Sequence, residues 1–246
     1  QTETIFFADD DFILNAQRCL EVCRGIVEAK GEGKLPPSLS FIANTRLNNL
    51  TPDLLSAMEE AGWRIILCGV ESFSPRLLVE YEKKYKIEAV HTTLEYLLRT
   101  QIHPYLTIIL FSPECTMDDV VVNVQECIRY ALRGAGLGIY PYVMPLPGCR
   151  MIEREGMEIE RLRVPIPGTD RSIEKVRRLL PRDPPVRALL YRMDRSLEAR
   201  QEELGRRYHI AHFSSRLYSL LFLHVICEAL DLKDPLKDVE YLLTKA

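Results

Sequence analysis

Short apolar segments alternate with amphipathic segments along the first 143 residues of the chain. The apolar segments end on Gly, Pro or polar residues, which is typical of buried strands that lead into loops. Between them, apolar residues recur every three or four positions, as they do on the inner face of a helix. The predicted strands are 4–8, 39–44, 64–72, 105–111 and 136–143, and the predicted helices between them are 12–30, 52–61, 74–82, 87–98 and 117–131.

Local signals mark the starts of several of these helices. Thr51 and Ser74 each precede a proline, which suits an N-cap followed by the first helical position, and Thr116 is followed by two aspartates in a first turn. Strands and helices that alternate every roughly 25 to 40 residues indicate parallel βαβ units. The polar strand ends therefore share one edge of the sheet, where α/β proteins bind their ligands.

The C-terminal part of the chain follows a different pattern. Segment 158–164 is either a sixth strand or an extended linker, and further helices are predicted at 170–180, 185–206, 212–230 and 234–244. The charge also changes, because residues 150–207 hold 15 Lys and Arg against 11 Asp and Glu, whereas residues 1–149 hold 13 against 19. We therefore expect an α/β domain at 1–150 and a mostly helical extension at 151–246.

Composition narrows the class of protein. The chain has 246 residues, 47% of them hydrophobic, which suffices for a large core, and its net charge of −3 gives no general nucleic-acid signal. The Arg-rich stretch 177–207 fits a solvated helical face better than a nucleic-acid surface. Seven cysteines without a Cys-x-x-Cys pair indicate reduced thiols and a cytoplasmic protein. No signal peptide opens the chain, and its longest apolar stretch, 217–227, is too short to span a membrane.

Three strand ends carry candidate ligand-binding residues. Asp9–Asp11 follow the first strand, and clustered carboxylates suit Mg²⁺; the alternative is that Asp11 caps the next helix while its neighbours are solvated. Arg46 follows the second strand, where its guanidinium either grips a carboxylate or phosphate or makes a surface salt bridge. Glu71 and Ser72 follow the third strand, as ligand-binding residues or as a solvated acid and a turn residue.

Longer segments occur around these strand ends in a recognisable order. They are Phe6-Phe7-Ala8-Asp9-Asp10-Asp11-Phe12, Arg46-x-Asn48 with Leu50-Thr51, Glu59-Glu60-Ala61-Gly62-Trp63, Cys68-Gly69-Val70-Glu71-Ser72, Ser112-Pro113-Glu114-x-Thr116-x-Asp118-Asp119 and Pro145-Leu146-Pro147-Gly148. Over residues 3 to about 150 this order resembles the radical S-adenosylmethionine (SAM) enzymes. The likeness is greatest to the branch that often carries a cobalamin-binding domain.

The resemblance implies a partial (β/α)6 TIM-like barrel, open on one side and missing its first strand, with a helical C-terminal extension. Such enzymes use a [4Fe–4S] cluster, reduced by a donor such as flavodoxin or ferredoxin, to cleave SAM to a 5′-deoxyadenosyl radical. Asp9 and Asp10 would contact the amino group of SAM, while Arg46, Glu71 and Ser72 would face its carboxylate and ribose. The full set of implied SAM-binding residues is Asp9, Asp10, Arg46, Gly69, Glu71, Ser72, Leu110 and Phe111, of which the last two border the adenine.

The cysteine pattern departs from that of the family. The Cys-x-x-x-Cys-x-x-Cys loop that holds the cluster is absent, and Cys19 and Cys23, on a predicted helix, are not interpreted as ligands. Phe111-Ser112-Pro113 also stands where many relatives have a glycine-rich turn. We interpret the chain as a fragment of a longer enzyme, inactive in isolation. Two alternatives stay open: a Mg²⁺-dependent TIM-barrel-like enzyme that uses Asp9–Asp11, and a non-catalytic interaction scaffold. The sequence names no substrate and leaves the use of cobalamin open.

Overall fold

The protein has a mixed α/β fold with a five-stranded parallel sheet. The computed structural model describes residues 3–143, 145, 150–154, 156–165, 167, 170–208 and 214–245. The strands follow one another across the sheet in the same order as in the chain, β1-β2-β3-β4-β5. They are β1 (Thr4–Phe7), β2 (Ser40–Thr45), β3 (Trp63–Glu71), β4 (His103–Phe111) and β5 (Gly136–Tyr142). All five strands that the sequence predicts are therefore confirmed.

Helices connect the strands in the manner that a parallel sheet requires. The predictions for these helices are confirmed with small shifts of their ends, and Leu47–Asn49 adds a short 3₁₀ turn. The helices are α1 (Ala16–Gly31), α2 (Pro52–Ala61), α3 (Pro75–Glu80), α4 (Ile87–Leu97) and α5 (Met117–Leu132).

Side-chain caps fix the starts of these helices. Thr51 and Ser74 accept the backbone N–H of Leu54 and Leu77, as predicted. The alternative in which Asp11 caps α1 is wrong, because the helix begins later and Asn15 accepts the N–H of Arg18. A stretch of turns precedes Asn15, which releases the Asp11 carboxylate for contacts with the next strand.

The chain forms two compact units. The first comprises Gln1–Ile108 with Cys127–Gly138, and the second comprises Ile109–Glu126 with Ile139–Ala246. The boundary that the sequence predicts at residue 150 stays a prediction. Of the motif at 145–148, only Pro145 lies among the described residues.

An aromatic cluster forms part of the core of the first unit. The rings of Phe7, Phe12 and Phe41 surround Trp63, whose side chain is fully buried, with ring centroids 4.9 to 5.6 Å from its own. Because Trp63 is the single tryptophan of the chain, its fluorescence reports on the start of β3. Burial of an aromatic ring of this size contributes strongly to stability.

The second unit contains an antiparallel hairpin, β6 (Ile159–Pro165) with β7 (Ser172–Leu179). The segment 158–164, left open by the sequence, is thus a strand, but it belongs to a separate two-stranded sheet. The prediction of a helix at 170–180 is wrong, because β7 occupies this segment. Ile173, Val176 and Leu179 recur at every third position, which fits one face of a helix, but pairing with β6 holds this segment in a strand.

Three helices complete the second unit: α6 (Pro184–Arg207), α7 (Ser215–Ala229) and α8 (Lys233–Thr244). The sequence predicts all three, although residues 212 and 213 of the second lie outside the described part. Most of α7 is buried, as its apolar surface on every side suggests. In the described part of the chain, we find no helix with the length and apolar character needed to cross a bilayer.

A buried arginine joins the hairpin to α6. The Arg178 side chain is 1% exposed, and its guanidinium donates from Nε to Glu160 at 2.9 Å and lies 2.7 Å from Asp194 of α6. Tyr142 and Tyr191 lie over the guanidinium, with ring centroids 5.2 and 5.5 Å from its central carbon. Burial raises the pKa of Glu160, but hydrogen bonds from Arg178 and Arg177 outweigh it and hold this pKa below its ordinary value.

A buried histidine lies among the C-terminal helices. The ring nitrogens of His224 on α7 are each 3.7 Å from a carboxylate, Nδ1 from Glu228 and Nε2 from Glu240. Arg200 pairs with Glu228 at 2.9 Å, and Arg207 pairs with Glu240 at 3.1 Å. Burial lowers the pKa of His224 more than the two carboxylates raise it, so this side chain is held neutral.

Candidate functional site

A cavity of about 360 Å³ opens at the carboxyl ends of the first three strands. Two acidic residues, Asp10 and Glu71, and two basic residues, Arg46 and Lys83, contribute to its walls, so that the formal charges balance. The complete lining is Asp10, Asn44, Thr45, Arg46, Leu67, Gly69, Glu71, Lys83 and Thr107. All nine residues belong to the first unit. The structure thus brings together four of the residues that the resemblance implies for SAM: Asp10, Arg46, Gly69 and Glu71.

The three consecutive aspartates have different environments. Asp11 is held by the end of β2 and by the 3₁₀ turn after it, since it accepts hydrogen bonds from the Thr45 hydroxyl at 2.9 Å and from the Asn49 side-chain amide at 3.1 Å. Asp9 lies 3.7 Å from Arg18, with 45% of its side chain exposed. Asp10 alone among the three lines the cavity. The described residues include no group of three or more His, Cys, Asp or Glu side chains arranged to hold a metal ion.

Glu71 has an unusual backbone. Its φ of 65° lies in the left-handed region, which is uncommon for a residue other than glycine, and the pairing of β3 with β4 is irregular between Gly69 and Glu71. The carboxylate folds back over the strand toward Gly69. If residue 69 carried a side chain, its Cβ would lie only 2.9 Å from Glu71 Oε1. Glycine at position 69 therefore leaves room for this carboxylate beside the cavity.

Two residues that the sequence did not single out contact this strand end. Lys83 Nζ lies 3.3 Å from Glu71 Oε1, and the Tyr85 hydroxyl donates to the Gly69 carbonyl at 3.2 Å. Burial raises the pKa of Tyr85 to about 12, with a further contribution from the charge of Glu71, so the phenol is a neutral donor. In the sequence, Lys83 is one of three lysines after a short helix, a pattern that also fits a solvated turn.

A second cavity, of about 310 Å³, is lined in part by residues 81–85, the segment that contains Lys83 and Tyr85. It shares Arg46 and Lys83 with the first cavity. The other residues of its lining are Asn48, Tyr81, Glu82, Lys84 and Tyr85.

The remaining residues implied for SAM occupy other positions. Ser72 is fully buried, and its hydroxyl accepts the N–H of Ser74 at 3.0 Å. Leu110 and Phe111 lie at the end of β4 in the second unit, where both side chains are fully buried. Their role at the adenine of SAM stays a prediction.

The cysteines that the structure describes do not fit an iron–sulfur cluster. Cys19 and Cys23 are buried one turn apart on α1, and burial raises the pKa of the Cys68 thiol. Such thiols pack as small apolar groups. The six described cysteines are Cys19, Cys23, Cys68, Cys115, Cys127 and Cys227, all buried; Cys149 lies outside the described residues.

Comparison with known proteins supplies sequence relatives and structural neighbours. No protein-family model matches the chain. It is 29% identical over 153 residues to an uncharacterised methyltransferase, PH0819 of Pyrococcus horikoshii; the match covers 61% of the chain and 30% of that protein.

Two solved structures share the fold. One is OxsB, a cobalamin-dependent SAM radical enzyme with aqua-cobalamin and SAM bound, which matches 99% of the chain with a TM-score of 0.59 and 17% identity. The chain has the fold of radical SAM enzymes. The other is the radical SAM methyltransferase TsrM of Kitasatospora setae, with cobalamin and a [4Fe–4S] cluster bound, matching 64% of the chain with a TM-score of 0.52 and 16% identity. The chain spans 42% of the OxsB chain and 31% of the TsrM chain, so it corresponds to less than half of either radical SAM enzyme.

Proposed function

We propose that the chain is the SAM-binding part of a radical SAM enzyme, with its parallel sheet as part of a (β/α)6 barrel. In the complete enzyme, SAM would be cleaved reductively to a 5′-deoxyadenosyl radical. That chemistry uses a [4Fe–4S] cluster; because the described cysteines do not fit one, its ligands would come from outside the described residues. A donor such as flavodoxin or ferredoxin would supply the electron.

The observation that carries this proposal is the balanced set of charges around the 360 Å³ cavity. SAM presents an ammonium, a carboxylate and a ribose diol, and each has a complementary group in the lining. Asp10 suits the ammonium, Arg46 suits the carboxylate through its planar guanidinium, and Glu71 accepts hydrogen bonds from ribose hydroxyls. The cavity also lies at the carboxyl ends of parallel strands, the usual ligand-binding edge of such sheets.

The other residues implied by the resemblance have smaller parts in the proposal. Asp9, beside Arg18, would add negative charge near the ammonium. Ser72 would act by holding the turn after Glu71, since its hydroxyl already accepts a backbone N–H. Leu110 and Phe111 would border the adenine.

The names of the relatives suggest a reaction class. The Pyrococcus protein and TsrM are both called methyltransferases, and TsrM and OxsB have cobalamin bound in their structures. We therefore include methyl transfer assisted by cobalamin in the proposal for the complete enzyme. The Mg²⁺ alternative is less favoured, because two side-chain donors already occupy Asp11.

Calorimetric titration of SAM into the chain tests this proposal. Saturable binding is expected, and Asp10→Asn should weaken it by about 10- to 100-fold, the range for losing a hydrogen bond between charged groups. Arg24→Gln is the matched control, since Arg24 is exposed on α1 and does not line the cavity. The proposal is wrong if SAM does not bind, or if it binds equally to the chain and the Asp10→Asn variant.

A further inference from the structure

The loop at residues 81–86 joins α3 to α4 and contacts the end of β3. Helix α3 ends in a Schellman motif, in which the Lys83 N–H donates to the Leu78 carbonyl and the Glu82 N–H donates to the Val79 carbonyl, both at 2.9 Å. Glu82 takes the left-handed conformation that this motif requires, with φ of 54°. These backbone hydrogen bonds therefore fix the position of Lys83 independently of the contacts that its side chain makes.

Two side chains then hold this loop to the strand end. Lys83 donates to Glu71 Oε1, and two residues later Tyr85 donates to the backbone carbonyl of Gly69. The ammonium of Lys83 and the carboxylate of Glu71 are largely shielded, with 18% and 25% of their side chains exposed. The pair is therefore less screened by solvent than an ordinary surface salt bridge.

This arrangement leaves the two oxygens of Glu71 unequal. Oε1 lies above Gly69 and contacts Lys83. None of the described residues donates a hydrogen bond to Oε2. The carboxylate thus has one oxygen engaged with protein and one available to accept from a ligand.

The charge of Lys83 also affects which ligand suits Glu71. A carboxylate without a neighbouring cation attracts cationic ligands, whereas one that is already paired favours neutral hydroxyl donors. A ribose diol is such a donor.

We propose that Lys83 is a positioning residue for ribose recognition: it pairs with the Glu71 carboxylate and orients it, so that the second carboxylate oxygen accepts hydrogen bonds from the diol. Tyr85 supports it by anchoring the loop to Gly69. This inference rests on the proposed function, because it takes the ribose of SAM as the partner of Glu71.

The preference for adenosine over 2′-deoxyadenosine measures this role directly. The two ligands differ by one ribose hydroxyl, so the ratio of their dissociation constants reports recognition of the diol. Calorimetric titration should give a ratio of about tenfold in the unmodified chain, as expected for a hydrogen bond to a charged group. Lys83→Met should reduce the ratio below about threefold, and Lys83→Arg should restore most of it.

Controls separate this role from general damage to the fold. Lys84→Met changes the adjacent lysine, which is exposed and lines only the second cavity, and should leave the ratio unchanged. A purely structural role for Lys83 would weaken both ligands equally and keep the ratio. Tyr85→Phe gives an independent test if Lys83→Met does not fold, since it removes the anchor on Gly69 and should lower the ratio partly.

Three outcomes would overturn the inference while leaving SAM binding intact: a ratio near one in the unmodified chain, a ratio unaffected by Lys83→Met, or, where Lys83→Met does not fold, a ratio unaffected by Tyr85→Phe. Absence of binding of SAM and of both nucleosides would instead refute the proposed function itself. The two failures are therefore distinguishable.

Discussion

Replacing Arg178 with methionine should destabilise the β6–β7 hairpin by about 3 kcal/mol. The guanidinium is 1% exposed and engages Glu160 on one side and Asp194 on the other. Loss of the hydrogen bond to Glu160 and of the ion pair with Asp194, at about 1.5–3 kcal/mol each, would cost roughly 3–6 kcal/mol. The two carboxylates retain 24% and 28% exposure and so regain some hydration, and Glu160 keeps Arg177 at 2.6 Å. These compensations place the expected value near the lower end of that range.

Hydrogen exchange at the amides of Ser172–Leu179 measures this loss where it occurs. Because β7 pairs with β6 along its length, apart from one shift in register beside Arg178, a local loss of about 3 kcal/mol should reduce protection by about 150-fold. Arg163→Met is the matched control on the same hairpin, because Arg163 is 81% exposed and lies 4.0 Å from Glu174. Exposed pairs of this kind contribute less than about 1 kcal/mol.

The two variants should also differ in their response to acid. Glu160 has a lowered pKa in the folded chain, so it contributes stability above its unfolded pKa, and that contribution is lost as the pH falls through the folded value. Arg178→Met should weaken this acid dependence, while Arg163→Met should not. Equal protection and equal acid dependence in the two variants would refute the view that Arg178 joins the hairpin to α6.

Three further predictions concern single residues. Glu71→Gly should change the free energy of unfolding by less than about 1 kcal/mol, because relief of the strained left-handed backbone offsets the loss of the ion pair with Lys83. A urea titration followed by Trp63 fluorescence measures this change. A loss above about 2 kcal/mol would show that Glu71 is mainly structural. Glu82→Gly should raise stability by about 0.5–1 kcal/mol at the end of α3, and a lower urea midpoint would contradict this. His224→Phe should flatten the fall in melting temperature between pH 7.5 and 5.5. Below about pH 6.5 the unfolded chain binds a proton at His224 that the folded chain, with its lowered pKa, does not; an unchanged slope in the variant would exclude this titration.

Much of the fold is predictable because local signals agree with the long-range arrangement. Four of the five strands of the parallel sheet, β1 to β4, contain a run of at least three apolar residues, and Pro52 and Pro75 follow side chains that cap the next helix. The prediction for β7 is wrong because Ile173, Val176 and Leu179 recur at a helical spacing, whereas the strand depends on pairing with β6, which is not a local signal.

The candidate site is predictable only in part. Asp10, Arg46 and Glu71 come from three strand ends, and parallel topology alone brings them to one edge of the sheet. Lys83 escaped prediction because its contact with Glu71 depends on a Schellman motif without the usual glycine. A glycine at position 82 would have signalled the end of α3, whereas glutamate in the left-handed conformation leaves no such mark in the sequence.

The sequential strand order bears on how the protein is made. Thr4 pairs with Ser40, Phe41 with Trp63 and Ile65 with His103, so each new strand finds its partner in the polypeptide that was synthesised just before it. Among the described strands of this sheet, none must be inserted between two that are already paired, and each connection joins neighbouring strands. The sheet can therefore grow by one strand and its connecting helix or helices at a time during translation, which limits the period in which an apolar strand edge is exposed to other chains.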